Sequence, residues 1–333
     1  MIIGFNSIGQ DTTIMRQHLK VLTKTGVPKT YQNTFQLNQT ASYIEQQFQQ
    51  YADSVWVQSF EVRGKTYRNV ICSFGLQFAE RLIIGAHYDV CGDQEGADDN
   101  ASGVTGLLEL ARLLKGQQLT NRIDLVAYTL EEPPFFATEN MGSYQHAAYL
   151  KAHNVPVIGM VSLEMIGYFD DAKHSQDYPL SFLSLFYGNR GNYITVVNKL
   201  TLNRFGARFY KEMKRSHCIR TKRLNAPAFV VGIDFSDHRN YWAFDYPAIM
   251  ITDTAFYRNK NYHQQSDTME TLDLNRMGEV IRAVLVAVVE WGEFDFKKKF
   301  WQLLRFATLT TNGSQLYAGR DLTTKLPYEE TEL

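Results

Sequence analysis

Cysteine is scarce: Cys72, Cys91 and Cys218 are the only three in 333 residues. An odd, low count without metal-type spacing excludes a disulfide framework and predicts no cysteine-based zinc site. Charge of one sign is also missing. Lys plus Arg against Asp plus Glu leaves 34 − 35 = −1, so there is no bulk basic field to hold nucleic acid or an anionic membrane. No apolar run reaches ~18 residues, which excludes a transmembrane helix from the sequence pattern. The opening MIIGFNSIGQ has no basic n-region and only a short apolar patch, which predicts a cytoplasmic protein, or a secreted or periplasmic one if a signal was trimmed. The Asn-x-Ser/Thr sequons at Asn38, Asn100 and Asn312 are read as chance occurrences.

What is present is an ordinary globular composition, 44% hydrophobic and 21% charged, which argues against disorder. At ~150 residues per domain the length would suggest two domains, but large α/β folds exceed that as one unit. Residues 1–36 read as an N-terminal helix and loop. Asn38 is placed to cap a helix whose Ala41, Ile44, Phe48 and Tyr51 share a face. Val55–Val62 and Asn69–Phe74 read as strands joined by a turn at Gly64. Leu82–Ala86 (LIIGA) has the short apolar run of a strand buried on both faces. Then follow a helix over Ser102–Lys115, a strand over Ile123–Leu130, a helix over Ser143–His153 and a strand over Val157–Leu163. Tyr193–Val197 and Ala248–Thr252 are strand-like, and Leu200–Met213 and Asn275–Trp291 helix-like. This alternation predicts a single-domain α/β fold, a mostly parallel mixed sheet flanked by helices on both faces. The catalytic domain is expected over residues 37–308, followed by an irregular polar tail over 309–333.

Three of these strands run into metal-binding residue types. LIIGA leads into His87-Tyr88-Asp89, the strand from Ile123 into Glu131-Glu132, and the strand from Val157 into Glu164. In open parallel sheets, ligands sit beyond the carboxyl ends of the strands, near the switch in strand order. Between the first strand and its helix lies the loop GADDNASG, residues 96–103. Each piece alone has an ordinary explanation: a structural histidine, a solvated glutamate pair, a helix cap. Together they put carboxylates at the ends of buried strands, where they repel one another without a cation. His with Asp and Glu, without Cys, suits catalytic zinc.

HYD, GADDNASG, EE 28 residues after its closing glycine, LEMIG and YHQQSDT together resemble the di-zinc aminopeptidase family. That family contains bacterial leucyl aminopeptidases, glutamate carboxypeptidases, glutaminyl cyclases and the non-catalytic transferrin receptor. The resemblance covers roughly residues 30–290, including Tyr31–Asn33 and the strand at Asn69-Val70-Ile71. It implies two Zn2+ ions per chain, one held by His87, Asp99 and Glu164, the other by Glu132, His263 and the shared Asp99. Asp99 rather than Asp98 is the match, because the bridging acid directly precedes the Asn-Ala-Ser-Gly run. Glu131 matches the general base and Tyr262 a donor to the tetrahedral oxyanion. Asp89 is expected to orient His87, Asp237 resembles a family acid near the site, and a cis peptide bond is expected after Asp99. There are departures. Glu164 stands where many members have Asp, and Leu130 where Gly often precedes the glutamates. Pro133-Pro134-Phe135-Phe136 is unusual and is read as stiffening one wall, with Phe135 or Phe136 in core packing.

The reading that follows is a zinc-dependent exopeptidase, an aminopeptidase whose partner is a peptide with a free N-terminus, with neither nucleic acid nor membrane involved. A glutaminyl cyclase-type acyltransferase is the alternative, but cyclases typically show Asp-Ser where this chain has Asp99-Asn100, and Trp where it has Tyr262. A carboxypeptidase for acidic C-termini needs cations, which Arg215, Arg220, Arg223 and Arg239 could supply if the fold collected them. An intact set of ligands plus Glu131 argues against a non-catalytic binding protein. Loops around residues 165–190 and 215–245 are expected to form an apolar pocket for the first side chain. His18, His146, His153, His174 and His217 are read as surface or structural, and Lys297-Lys298-Lys299 beside Trp301 as a solvated helix face.

Overall fold

The computed structural model describes residues 12–291. In chain order the elements are α1 (Thr12–Thr23), α2 (Thr34–Gln49), β1 (Ser54–Val62), β2 (Lys65–Phe74), β3 (Arg81–His87), α3 (Gly103–Leu114), β4 (Arg122–Tyr128) and α4 (Gly142–Ala152). They continue as β5 (Val157–Glu164), α5 (Ser184–Tyr187), β6 (Ile194–Lys199), α6 (Phe205–Arg215), β7 (Thr221–Ala226), α7 (His238–Ala243) and β8 (Ala248–Thr252), with a further helix, α8, over residues 274–291. Residues 1–11, the expected tail 309–333, Lys297–Lys299 with Trp301, and the sequon at Asn312 lie outside the described residues.

The eight strands form one sheet in the order β1-β2-β4-β3-β5-β8-β6-β7. The central four, β4-β3-β5-β8, are parallel. β1, β2 and the β8–β6 pair run antiparallel, and β6–β7 is again parallel. The expected α/β class, with a mostly parallel mixed sheet between helices, is what forms. The alternation of β3 explains its apolar run. Leu82, Ile84 and Ala86 join one core with α3 residues Val104, Leu107 and Leu108, while Ile83 joins a second core with Ala147 and Leu150 of α4 and Tyr241 and Trp242 of α7. Successive side chains of a strand point to opposite faces, so a strand covered on both must be apolar throughout. The chain passes from β3 to β4 on one side and then to β5 on the other. This switch in strand order opens a crevice at their carboxyl ends.

Some local expectations shift. The cap of α2 is Asn33, whose side chain accepts the Gln36 N–H at 3.2 Å, not Asn38, which lies within the helix. α6 begins at Phe205 rather than Leu200, after Asn203 Oδ1 accepts the Phe205 N–H at 2.6 Å. β7 and α7 were not expected from the sequence. Asn100 is buried with both amide atoms hydrogen-bonded, so its sequon has no accessible acceptor in the fold. The three cysteines are free thiols, and among the described residues no helix is long and apolar enough to cross a membrane.

His18 and His146 are structural, as read from sequence, and His238 joins them. All three are buried. Nδ1 of His18 and of His146 each meets a tyrosine hydroxyl at 2.7 Å, on Tyr43 and Tyr241, and His238 Nε2 lies 2.8 Å from the Ile233 carbonyl. Burial lowers each imidazole to about 4. The unfolded chain takes these protons at about pH 6.5, so stability present above that pH is lost as pH falls toward 4, by up to ~3 kcal/mol per group. The stability gap between wild type and His146→Gln should therefore narrow by about one proton's slope across this window. Urea midpoints at several pH values measure it, and a gap independent of pH refutes the account.

Candidate active site

The carboxyl ends of β3, β4 and β5 deliver the site. His87 is the last residue of β3, Glu164 the last of β5, and Glu131 and Glu132 stand three and four residues beyond the end of β4. Between β4 and the glutamates the chain turns at Leu130, whose φ is 60°. This left-handed backbone costs a branched residue ~1 kcal/mol or more but suits glycine, which explains the glycine common in the resembling family. Here Leu130 is fully buried instead, so apolar burial offsets the conformation. Asp99 comes from the loop before α3, and its peptide bond to Asn100 is cis, as expected. Gly96, with φ 62°, lets the loop turn so tightly that a Cβ there would strike the Asp99 carbonyl.

Two triads form around Asp99. Its Oδ1 lies 3.3 Å from His87 Nε2, which is 3.4 Å from Glu164 Oε1. Its Oδ2 lies 3.1 Å from His263 Nε2, which is 3.3 Å from Glu132 Oε2. These spacings are long for charge-assisted hydrogen bonds, which fall near 2.7–2.9 Å. They match the ~3.4 Å between two ligand atoms set tetrahedrally around one zinc at bonds of ~2.1 Å. Glu132 Oε1 and His263 Nε2 are buried without a hydrogen-bond partner, an orphaning that a cation would relieve. The donor set therefore fits one cation on each side of Asp99. Glu131 Oε2 lies 3.8 Å from His87 Nε2, belongs to neither triad, and offers an atom within 4.8 Å of both His87 and Glu132, one member of each.

The electrostatics call for positive charge. Burial raises the Glu131 carboxyl well above its usual range, raises Glu164, and pushes Glu132 up to about 8, with neighbouring carboxylates adding to each. Burial alone would lower both histidines, but Glu164 and Glu131 raise His87 well above its ordinary value, and the adjacent Asp99 and Glu132 carboxylates raise His263 to about 10. Burial also opposes ionisation of Asp99, yet His263 and His87 hold it well below the carboxylate range. Protons here occupy places that cations would take.

All seven residues singled out from the sequence converge. Tyr262 stacks on His263 with ring centroids 3.8 Å apart, and burial followed by the nearby Asp99 and Glu132 raises its hydroxyl, which stays a donor. Asp89 does more than was expected. Its carboxylate accepts the N–H groups of Glu131 and Glu132 at 3.2 and 3.1 Å, while its Oδ1 lies 3.6 Å and its main-chain carbonyl 3.3 Å from His87 Nδ1. With a proton on Nδ1, the Nε2 lone pair faces the acids. Asp237 is buried nearby and pushed up to about 7 by burial. Phe135 packs in the core, while Phe136 stands edge-on to Phe235 at 5.6 Å, behind the wall of a neighbouring pocket.

Several residues carry the site without having been singled out. Ser236 donates to Glu164 Oε2 at 2.7 Å, and Asp267 accepts the N–H groups of Asp98 and Asp99 at 2.9 and 3.1 Å. Both lie in segments the sequence marked, Ser236-Asp237-His238 and YHQQSDT, and that proximity was the available signal. Lys29, a buried cation whose ammonium donates to the Leu22 and Glu95 carbonyls at 2.6 and 3.1 Å, had no such signal. Nor did Cys91, whose sulfur lies close to Glu132 and His263.

The pocket opens beside Glu164 and is almost wholly apolar, with Tyr193, Val197, Leu224, Ile233, Phe235 and Met250 among its lining. The expected loops contribute Gln176–Pro179, Tyr187, Leu224, Val231–Ile233 and Phe235, and Glu164 of β5, β6, β8 and the turn at 254–257 supply much of the rest. Arg215, Arg220, Arg223 and Arg239 do not line it. Arg215 and Arg239 pair instead with Glu212 and Asp234.

The chain is 43% identical over 279 residues to "Uncharacterized protein YfbL" of Escherichia coli, covering 81% of this chain and 85% of that one. It is 25% identical over 266 residues to a probable leucine aminopeptidase of Arthroderma otae, covering 74% of this chain and 64%, under two thirds, of that longer protein. Among solved structures, Legionella pneumophila LapA aminopeptidase superposes with a TM-score of 0.67 at 20% identity, over 85% of this chain and 72% of LapA. Bacteroides thetaiotaomicron glutaminyl cyclase does so at 0.61 and 20% identity, over 84% and 97%. At such identity the two structures establish the fold alone. The sequence profile of "Peptidase family M28" matches residues 69–288, the span from β2 to α8 that contains every acid and both histidines of the two triads, and the chain belongs to that peptidase family.

Proposed function

We propose that this peptidase is a two-zinc aminopeptidase, with His87, Asp99 and Glu164 holding one ion, and Glu132, His263 and the shared Asp99 the other. The observation that carries the reading is the apolar pocket that Glu164 helps to line. Asp99, Glu131, Glu132 and Glu164, if ionised, bring −4 against +4 from two ions. No surplus positive charge remains to attract a substrate carboxylate, whereas spare carboxylate oxygens can accept hydrogen bonds from an α-ammonium. The peptide then enters amine first, with its first side chain in the pocket. Bound zinc supplies a Lewis acid and a water acidified toward neutral pH.

The chain's own groups do the rest. Glu131, held by the Asp89 carboxylate through its backbone N–H, takes the proton of the attacking water and returns it to the leaving amine. Tyr262, kept protonated by burial, donates to the oxyanion. Ser236 and Asn100 hold Glu164 in place at 2.7 and 3.4 Å.

Leu-, Met- and Phe-type aminoacyl substrates with free amines should be cleaved and their N-acetylated forms should not. A matched panel, with C-terminal-Glu peptides included, reads this directly. Equal cleavage of free and blocked forms would remove the amine as the recognition handle and end the aminopeptidase reading.

A further inference from the structure

Beyond β3 the chain is held by two backbone hydrogen bonds, the Tyr88 N–H to the Tyr128 carbonyl at 2.9 Å and the Val90 N–H to the Lys29 carbonyl at 3.1 Å. This stretch carries the chain from His87 past Asp89 to Cys91. The Cys91 sulfur, a Glu132 carboxylate oxygen and a His263 ring nitrogen all lie within 4.8 Å of one another. Bonds of ~2.3 Å to sulfur and ~2.1 Å to nitrogen span ~3.6 Å at a tetrahedral angle, so at most ~1.2 Å of side-chain adjustment separates the three from one shared cation. The second observation is independent of the thiol. Glu132 Oε1, on a residue 4% exposed, has no hydrogen-bond partner, nor does His263 Nε2.

We propose that Cys91 is a further ligand of the cation held by Glu132, His263 and Asp99, its thiol losing its proton to solvent as the sulfur–metal bond forms. The inference rests on the two-metal reading and deepens it. It makes the two halves of the centre chemically unlike: His87, Asp99 and Glu164 present only nitrogen and oxygen, while the other half adds a soft thiolate that selects thiophilic metals. A spacing search cannot find such a ligand, because Cys91, Glu132 and His263 are brought together only by three separate loops.

Cobalt replaces zinc in the full chain for the test. Wild type and Cys91→Ser are each loaded with Co(II), their metal content is measured, and their near-ultraviolet absorption compared. The wild type should show a sulfur-to-cobalt charge-transfer band that Cys91→Ser lacks. In the wild type, iodoacetamide labelling of Cys91, read by peptide mass, should slow roughly tenfold or more on metal loading, because a metal-held thiolate is withdrawn as nucleophile. Labelling of Cys218 serves as the internal control. Two cobalt ions per chain with identical near-ultraviolet spectra in both proteins, or Cys91 labelling indifferent to metal, overturns the proposal. Failure of the two-metal reading registers separately, as wild type binding fewer than two cobalt ions.

Discussion

Glu131→Gln should lower turnover by roughly 10²–10⁴-fold, the usual scale of general acid–base catalysis, while both metal ions stay bound. The loss corresponds to ~3–5 kcal/mol of transition-state stabilisation. The geometry separates the two effects. Glu131 lies 3.8 Å from His87 Nε2 and outside both triads, and its backbone N–H, not its side chain, is what Asp89 holds. The amide of Gln preserves shape and removes only the capacity to accept and return a proton. Metal analysis and kcat are measured on the same preparation. The acidic limb of the kcat/KM profile should also disappear, since it reports the base in the free enzyme. A metal-replete variant with near-wild-type turnover would exclude Glu131 from the mechanism.

Removing the metal should abolish activity altogether, and two zinc ions per chain should restore it. One ion, with no gain from a second, would favour the cyclase reading. The electrostatics add a sign to this experiment. Without cations, carboxylates hold His87 well above its ordinary value and His263 at about 10, and burial holds Glu132 at about 8, so near pH 7 these groups carry protons. Metal must displace them. Binding should therefore release protons, and affinity should fall as pH falls. Titration calorimetry in buffers of different ionisation enthalpy counts the protons; binding without release contradicts the ligand assignment. Thermal stability should drop with the metal, by ~2.7 kcal/mol per ion for free metal at 100 times its dissociation constant.

The parts of this protein legible in its sequence are those whose physics is local. LIIGA and the runs beginning at Ile123 and Val157 are apolar throughout because both faces of the strands are covered, a requirement that leaves its mark residue by residue. The acids and histidine that follow them were legible for the same reason: polar groups at the ends of buried strands are costly and need a cause. β7 was not legible. Its sequence, TKRLNA, is polar, and as an edge strand it is defined by its register with β6. α7, six residues long, is too short to establish a period. Asn33 and Asn38 are equally good caps in isolation, and packing decided between them.

The sequence by itself determined the α/β class, the parallel centre of the sheet and the histidine and acids at the strand ends, because burial periodicity and strand-end chemistry are written within a few positions of one another. Only the tertiary structure decided how those residues face each other. It turned Asp99 so that one oxygen meets His87 and the other His263, and assigned Asp89 to the glutamate backbone. It brought Ser236 to Glu164, drew Cys91 toward Glu132, and assembled an apolar pocket from loops and strands spread over residues 164–257. Contacts between residues tens to more than a hundred positions apart follow from strand order and loop path, and no local pattern encodes either.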